Sequence, residues 1–189
     1  DIPHKMSVHH MLAHQFLKEL GLKPGVPGKE AINVRFEVVP PIKMPGIMQE
    51  NEDIAGFRVA EPIATKAIIS EIGNLEFISS SRWENHPCCI VAMQDDFIEN
   101  FPEAAQEFVS LLVETGEYIE SDKKRASDIA VDFLDPDGKI GLNSGVLEKV
   151  FSQPLAIKMG DLYPIIEDFD LIQRYMHDDM GIGKIIDLE

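Results

Sequence analysis

The segment Gly56-Phe57-Arg58-Val59-Ala60-Glu61-Pro62 constrains this chain more than any other. It carries an apolar, extended stretch straight into a helix start, because proline is favoured in the first helical turn, where its missing N–H would be unpaired anyway. Ser7-Val8-His9-His10 upstream and Val38-Val39-Pro40-Pro41 between them repeat the arrangement. All three set polar or turn-making residues where an apolar segment meets a helix, which is where open α/β sheets hold small ligands. The expectation is an α/β chain that captures a ligand.

The flanking residues support that order. Ser7 reads as the N-cap of a helix to Leu20, with apolar residues at Val8, Met11, Leu12, Phe16 and Leu20 and Gly21 as its stop. After the turn-rich Lys23-Pro24-Gly25-Val26-Pro27-Gly28, Ile32, Val34, Phe36 and Val38 alternate with Asn33, Arg35 and Glu37. That period of two marks a strand, ended by Pro40-Pro41. A short helix over 42–49, a strand over 54–59 and a helix from Pro62 to about Ile72 complete an α/β alternation. Beyond Gly73 the texture changes. Cys88-Cys89-Ile90-Val91-Ala92-Met93 is short enough for a buried strand, and helices are expected over 102–119, 123–133, 144–151 and 161–177. The turn-rich stretch 79–87 marks a boundary, giving an α/β ligand-binding lobe at 1–84 and a helix-rich region at 85–189.

With 189 residues, 44% of them apolar, the chain can bury one good core or two small ones. Its 17 basic and 33 acidic residues leave a net charge of −16, and no basic run exceeds Lys123-Lys124-Arg125. Such a field repels phosphate backbones, so nucleic acid is not an expected partner. No apolar run approaches the roughly 20 residues of a bilayer span, which limits any membrane association to the periphery. The start Asp1-Ile2-Pro3-His4-Lys5 has no hydrophobic signal core, while prior removal of a leader or lipid anchor stays open. A bridge between the adjacent Cys88 and Cys89 would be strained, so two buried strand thiols are expected.

Three histidines, His9, His10 and His14, crowd one segment. His10 and His14 share a helix face as a metal-binding pair would, yet no Cys, Asp or Glu beside them completes a ligand set, and no metal or cofactor is expected. Position suggests a different use. Ser7 to His10 form a first turn whose N–H groups and positive dipole end attract an anion or a carbonyl oxygen, with His9 adding a donor. The plainer alternative, with Ser7 as a simple cap and the histidines in packing or on the surface, stands beside it. Glu61 is likewise open to two readings, as a cap on the helix dipole or as a ligand contact at the mouth of the sheet. If it shares a cleft with Ser7 and His9, it favours a ligand that donates a hydrogen bond, or an anion accompanied by a cation. Asp135-Pro136-Asp137-Gly138-Lys139 places proline and lysine where a calcium loop needs ligands, and reads as a turn. No phosphate-cradling glycine loop or G-x-S-x-G elbow occurs, so no catalytic centre is assembled.

Taken together, Ser7-Val8-His9-His10, Val38-Val39-Pro40-Pro41, Gly56 to Pro62 and Asp95-Asp96-Phe97-Ile98-Glu99-Asn100-Phe101-Pro102-Glu103-Ala104 resemble the substrate-binding proteins of ABC transporters for nitrate, bicarbonate and sulfonates. The likeness extends to Leu171-Ile172-Gln173-Arg174-Tyr175-Met176 and to Ile186-Asp187-Leu188. It implies a periplasmic-binding-protein type II-like fold, two α/β lobes with the ligand between them, binding without catalysis. It further implies an ABC permease as partner and a periplasmic or extracellular place, with lipid anchoring of the full-length protein. It places His9 at the ligand-contacting histidine of the nitrate and bicarbonate branch, and Glu61 where those two anions are told apart.

The family's opening strands lie upstream of anything in this sequence, so residues 1 to about 80 would form the second lobe and the rest a helical return to an incomplete first one. A fragment and a shortened relative both fit. Either way, uncovered apolar surface is expected, with self-association into a homo-oligomer as its remedy. Two other functions share the fold. A thiamine-pyrimidine-synthesis-type enzyme would use His9 or His14 as a base or consume it, and a ligand-sensing regulatory domain would accompany a DNA-binding or signalling segment.

Overall fold

The computed structural model describes residues 1–28, 31–154 and 157–188. The chain divides into two units, one made of Asp1–His86 with Ile165–Glu189, the other of Pro87–Pro164.

The first unit begins with helix α1 (Val8–Glu19), capped as expected by Ser7, whose Oγ accepts from the His10 N–H at 3.1 Å. Its end is a Schellman closure: Gly21, at φ +77°, lets its own N–H reach the Lys18 carbonyl at 2.9 Å and the Leu22 N–H reach that of Leu17 at 3.0 Å. Met11 and Leu12 of α1 pack on Met176 and Met180, with Val8, Trp83, Ile172, Tyr175 and Ile182 around them. The second pair follows helix α8 (Ile166–Arg174): Met176 lies in the π-helical turn over Tyr175–Asp179 that continues it, and Met180 caps that turn. A helix was expected from residue 161. It starts only at Ile166 because Asp161 holds a left-handed φ of +53° and Pro164 disfavours helical backbone before it.

The sheet is thinner than the alternation suggests. Among the described residues only β1 (Pro24–Gly25) and β2 (Val34–Arg35) pair as strands, in parallel, and Ile2 bridges in parallel to Val38. Four extended segments nevertheless lie side by side. Phe36 N–H donates to Gly25 O at 2.8 Å, Ile2 N–H to Glu37 O at 2.9 Å, and Val39 N–H to Ile2 O at 3.0 Å. Asp1 N donates to Gly56 O at 2.7 Å and Arg58 N–H to Asp1 O at 3.0 Å, the bonding pattern of a parallel pair. The strand expected over 54–59 is thus extended backbone held at one residue, too short a ladder to count as a strand. Within the layer Ile2 is fully buried and Phe36 is buried beside His10, their rings 4.6 Å apart.

Helix α2 (Met44–Glu50) follows a 3₁₀ turn at Pro41–Lys43, and α3 (Ile63–Ile69) follows the Glu61–Pro62 step. The latter stops short of the expected Ile72, since Glu71 turns left-handed at φ +56°.

The second unit is helical: α4 (Asp95–Asn100), α5 (Pro102–Ser121), α6 (Lys123–Leu134) and α7 (Ser144–Ser152). Asp122 caps α6 by accepting from Arg125 N–H at 3.0 Å, and Asn143 caps α7 by accepting from Val146 N–H at 3.1 Å. Between them the turn at Asp135 is closed by its buried carboxylate, which accepts from Ile140 N–H at 2.8 Å and Leu142 N–H at 2.9 Å. On α5, Gly116 lies so close to the Met159 carbonyl oxygen that a Cβ would collide with it. The segment Cys88 to Met93, expected as a buried strand, is neither: it has no strand partner among the described residues, and both cysteines are exposed and not bridged to each other. The second unit also leaves much apolar surface open, including Phe101, Phe108, Leu111, Phe133 and Tyr163.

Candidate functional site

The first turn of α1 sets His9 on the side of the unit where Arg58 and His86 act on it. His9 is partly buried, and no other described residue hydrogen-bonds its ring. Loss of hydration drives its pKa down to about 4, with the Arg58 guanidinium and then His86 adding repulsion. Its imidazole is therefore neutral at ordinary pH.

His86 is held from the other direction. The segment 79–86 folds as a 3₁₀ turn at Ser79–Ser81 followed by bends, and the His86 Nδ1 lies 2.9 Å from the Trp83 carbonyl oxygen. A carbonyl only accepts, so Nδ1 carries the proton and the neutral ring keeps its lone pair at Nε2. Burial lowers the His86 pKa; the Trp83 carbonyl opposes this, Arg58 lowers it further and Asp168 of α8 raises it. Arg58 is fixed in turn by the ring of Phe77, 4.7 Å from the guanidinium carbon. Phe77 stacks on Phe16 at 4.6 Å, and Arg82 lies over the same aromatic pair while it is paired with Glu19.

The other expected residues sit around this group. Ser7 holds the turn that carries His9. His10 points inward, 3% exposed, with Nδ1 donating to the Lys5 carbonyl at 2.7 Å. His14, also buried, meets the Tyr175 hydroxyl through Nδ1 at 3.0 Å, and its ring stands 6.5 Å from that of His10. Glu61 uses both carboxylate oxygens on one residue, accepting from Thr65 N–H and from Thr65 Oγ1–H, each at 2.9 Å. No hydrogen bond or ion pair joins it to His9 among the described residues. Arg58 and His86 were given no role from the sequence. Arg58 had a signal, as the single cation in an otherwise apolar approach to Glu61; His86 had only its place in a turn-rich stretch.

A neutral imidazole, a second imidazole of fixed tautomer and a guanidinium make a partly desolvated group rich in donors. It contains no paired nucleophile and base.

The chain superposes on the ligand binding component of an ABC-type import system from Staphylococcus aureus, solved with zinc bound, with a TM-score of 0.67 at 22% identity. The match covers 94% of this chain and 55% of that one. The fold is therefore that of an ABC-type solute-binding protein, periplasmic-binding-protein type II-like and helix-rich. Residues 2–132 match the model of the NMT1-like family, to which the chain belongs. The nitrate/nitrite binding protein NrtA of Nostoc sp. is 28% identical to it over 133 residues, 64% of this chain and 30% of NrtA. The chain thus spans less than a third of one relative and about half of the other.

Proposed function

We propose that this chain is the solute-binding part of an ABC importer, capturing a small oxyanion or organic molecule for a membrane permease and performing no chemistry on it. The observation that carries the reading is the grouping of His9, Arg58 and His86 at the first turn of α1. Arg58 supplies the charge that an anion needs and the imidazoles supply directional contacts, all in partly desolvated surroundings where such bonds are strong. Ser7 serves by fixing the turn, His10 by packing beneath it, and Glu61 by anchoring the helix that follows Arg58. The likeness to a nitrate/nitrite binding protein supports nitrate as the first compound to test. A place outside the cytoplasmic membrane follows from the same reading.

Titration calorimetry of the protein with nitrate, bicarbonate, methanesulfonate and a pyrimidine tests it. One of these is expected to bind, and His9→Ala to weaken it by about ten- to a hundredfold, the effect of deleting one polar contact of about 1–3 kcal/mol. Binding by none of them refutes the reading. Turnover of the pyrimidine with loss of His9 or His14 would replace it with an enzyme.

A further inference from the structure

We propose that the exposed stripe Ala104, Phe108, Leu111, Thr115 and Tyr118 along helix α5 of the second unit is a docking surface for a basic amphipathic helix of a partner protein. It stands apart from the anion site, which belongs to the first unit.

The stripe follows from the register of α5. Its five positions advance by four, three, four and three residues, the 3.5-residue period that keeps side chains on one line of a helix and lets a second helix lie along them. At 1.5 Å per residue that line runs about 21 Å. The inner side of α5 is taken by Ala105 and Gly116, its two buried residues, with Gly116 set against the Met159 carbonyl. The stripe lies off that side and stays open: Phe108 is 45% exposed, Leu111 54% and Tyr118 41%. Thr115 donates its hydroxyl proton to the Leu111 carbonyl at 2.6 Å, so it brings no unmet donor to an apolar partner. Large apolar side chains left in water at helical spacing are what an amphipathic helix recognises.

Charge decides what covers them. From residue 87 to residue 122 the chain has nine carboxylic acids and no lysine, arginine or histidine. Glu107 and Glu114 border the stripe, each one turn from Leu111, with Glu103 and Glu117 beyond them. All four are exposed, and none forms an ion pair among the described residues. Two copies meeting on this stripe would set these carboxylates against one another. A helix with leucines along its own seam and lysines or arginines beside it covers the apolar side chains and gives the carboxylates their partners. Such exposed charge pairs govern the choice of partner more than the strength of binding, which falls to Phe108, Leu111 and Tyr118.

The probe is a fluorescent peptide of about three heptads, with leucine at the a and d positions and lysine at e and g. A scrambled peptide of identical composition and a counterpart with glutamate at e and g are its controls. Fluorescence anisotropy reads binding to the protein, and sedimentation velocity reads the state of the protein alone. The lysine-flanked peptide is expected to bind, and both controls to bind at least about tenfold more weakly. Leu111→Gln and Phe108→Gln are neutral changes at exposed positions, checked for unchanged helicity by circular dichroism. Each is expected to weaken the peptide by about tenfold, and Glu107→Gln combined with Glu114→Gln by roughly threefold, most strongly at low salt. Absence of binding, equal binding of either control, or binding indifferent to Leu111 and Phe108 overturns the proposal. A dimer of the protein that Leu111→Gln returns to monomer overturns it in favour of a second copy. Lack of binding by a longer form of the chain, whose further residues already cover Phe108 and Leu111, overturns it in favour of an internal seam.

Discussion

Replacing Glu61 separates two uses of a carboxylate that lies between a candidate ligand group and a helix start. Both oxygens are spent on Thr65, at 2.9 Å to its N–H and 2.9 Å to its hydroxyl, and Thr65 is 1% exposed. In Glu61→Ala the Thr65 N–H becomes an orphan donor of the first turn of α3, a loss comparable to that of a capping residue, about 0.5–2 kcal/mol. The buried hydroxyl loses its acceptor as well, at about 1–3 kcal/mol. A total near 3 kcal/mol lowers the melting temperature by some 6–12 °C for a chain of this size. Glu61→Gln keeps the shape: its amide oxygen accepts from the Thr65 N–H and its NH₂ donates to Oγ1. Only the charge at the helix start is lost, about 0.3–1 kcal/mol. Scanning calorimetry and urea denaturation read stability, and nitrate and methanesulfonate titrations read binding. The cap account expects Glu61→Ala to melt early and Glu61→Gln to melt almost normally, with any change in Gln confined to anion preference. A Glu61→Ala protein that melts like the wild type yet loses anion binding would refute it and make the carboxylate a ligand contact.

Three further outcomes are expected. Ser7→Ala removes the acceptor for the His10 N–H at 3.1 Å, costing about 1 kcal/mol in denaturant titrations and loosening the turn that carries His9. Asp135→Ala strips the acceptor from the Ile140 and Leu142 amides, and since bonds to a charged acceptor contribute about 1.5–3 kcal/mol each, unfolding of the second unit is expected at a clearly lower urea concentration. Finally, His9 binds its proton less readily when folded, at about 4, than in the unfolded chain at roughly 6.5. Between those values the unfolded state holds more protons, so stability declines as pH drops from about 6.5 towards 4; urea midpoints across this window should flatten in His9→Gln.

Local chemistry was legible where the sequence settles a structure by itself. The Ser7 cap with Gly21 closing α1, proline at the start of α5, and the Asp135 turn each depend on residues within a few positions of one another. The strands were not legible in the same way. Period-two alternation over 32–38 states which face a segment would bury, but a strand exists only if another is there to pair with it. At Val34–Arg35 the partner is Pro24–Gly25, over 54–59 it is essentially Asp1, and at Cys88 to Met93 there is none among the described residues. Apolar composition therefore overestimated sheet and overestimated the burial of the cysteines.

The site divides along the same line. His9 was singled out because a helix start and its cap are local, and its position alone suggested an anion. The properties that make it suited to one are not local. Its neutrality depends on lost hydration and on a guanidinium and an imidazole brought from residues 58 and 86, and the tautomer of His86 depends on a carbonyl that only the turn at Trp83 presents. Glu61 shows the reverse: the sequence left it between cap and ligand contact, and Thr65, four residues on, occupies both of its oxygens. A carboxylate engaged in this way adds less repulsion at a neighbouring anion than a solvent-facing one, since its charge is partly balanced by two donors and a helix start. Arg58, three residues earlier, is then able to act as the dominant charge, and the extended approach to α3 delivers a cation where the residue pattern alone advertised an anion.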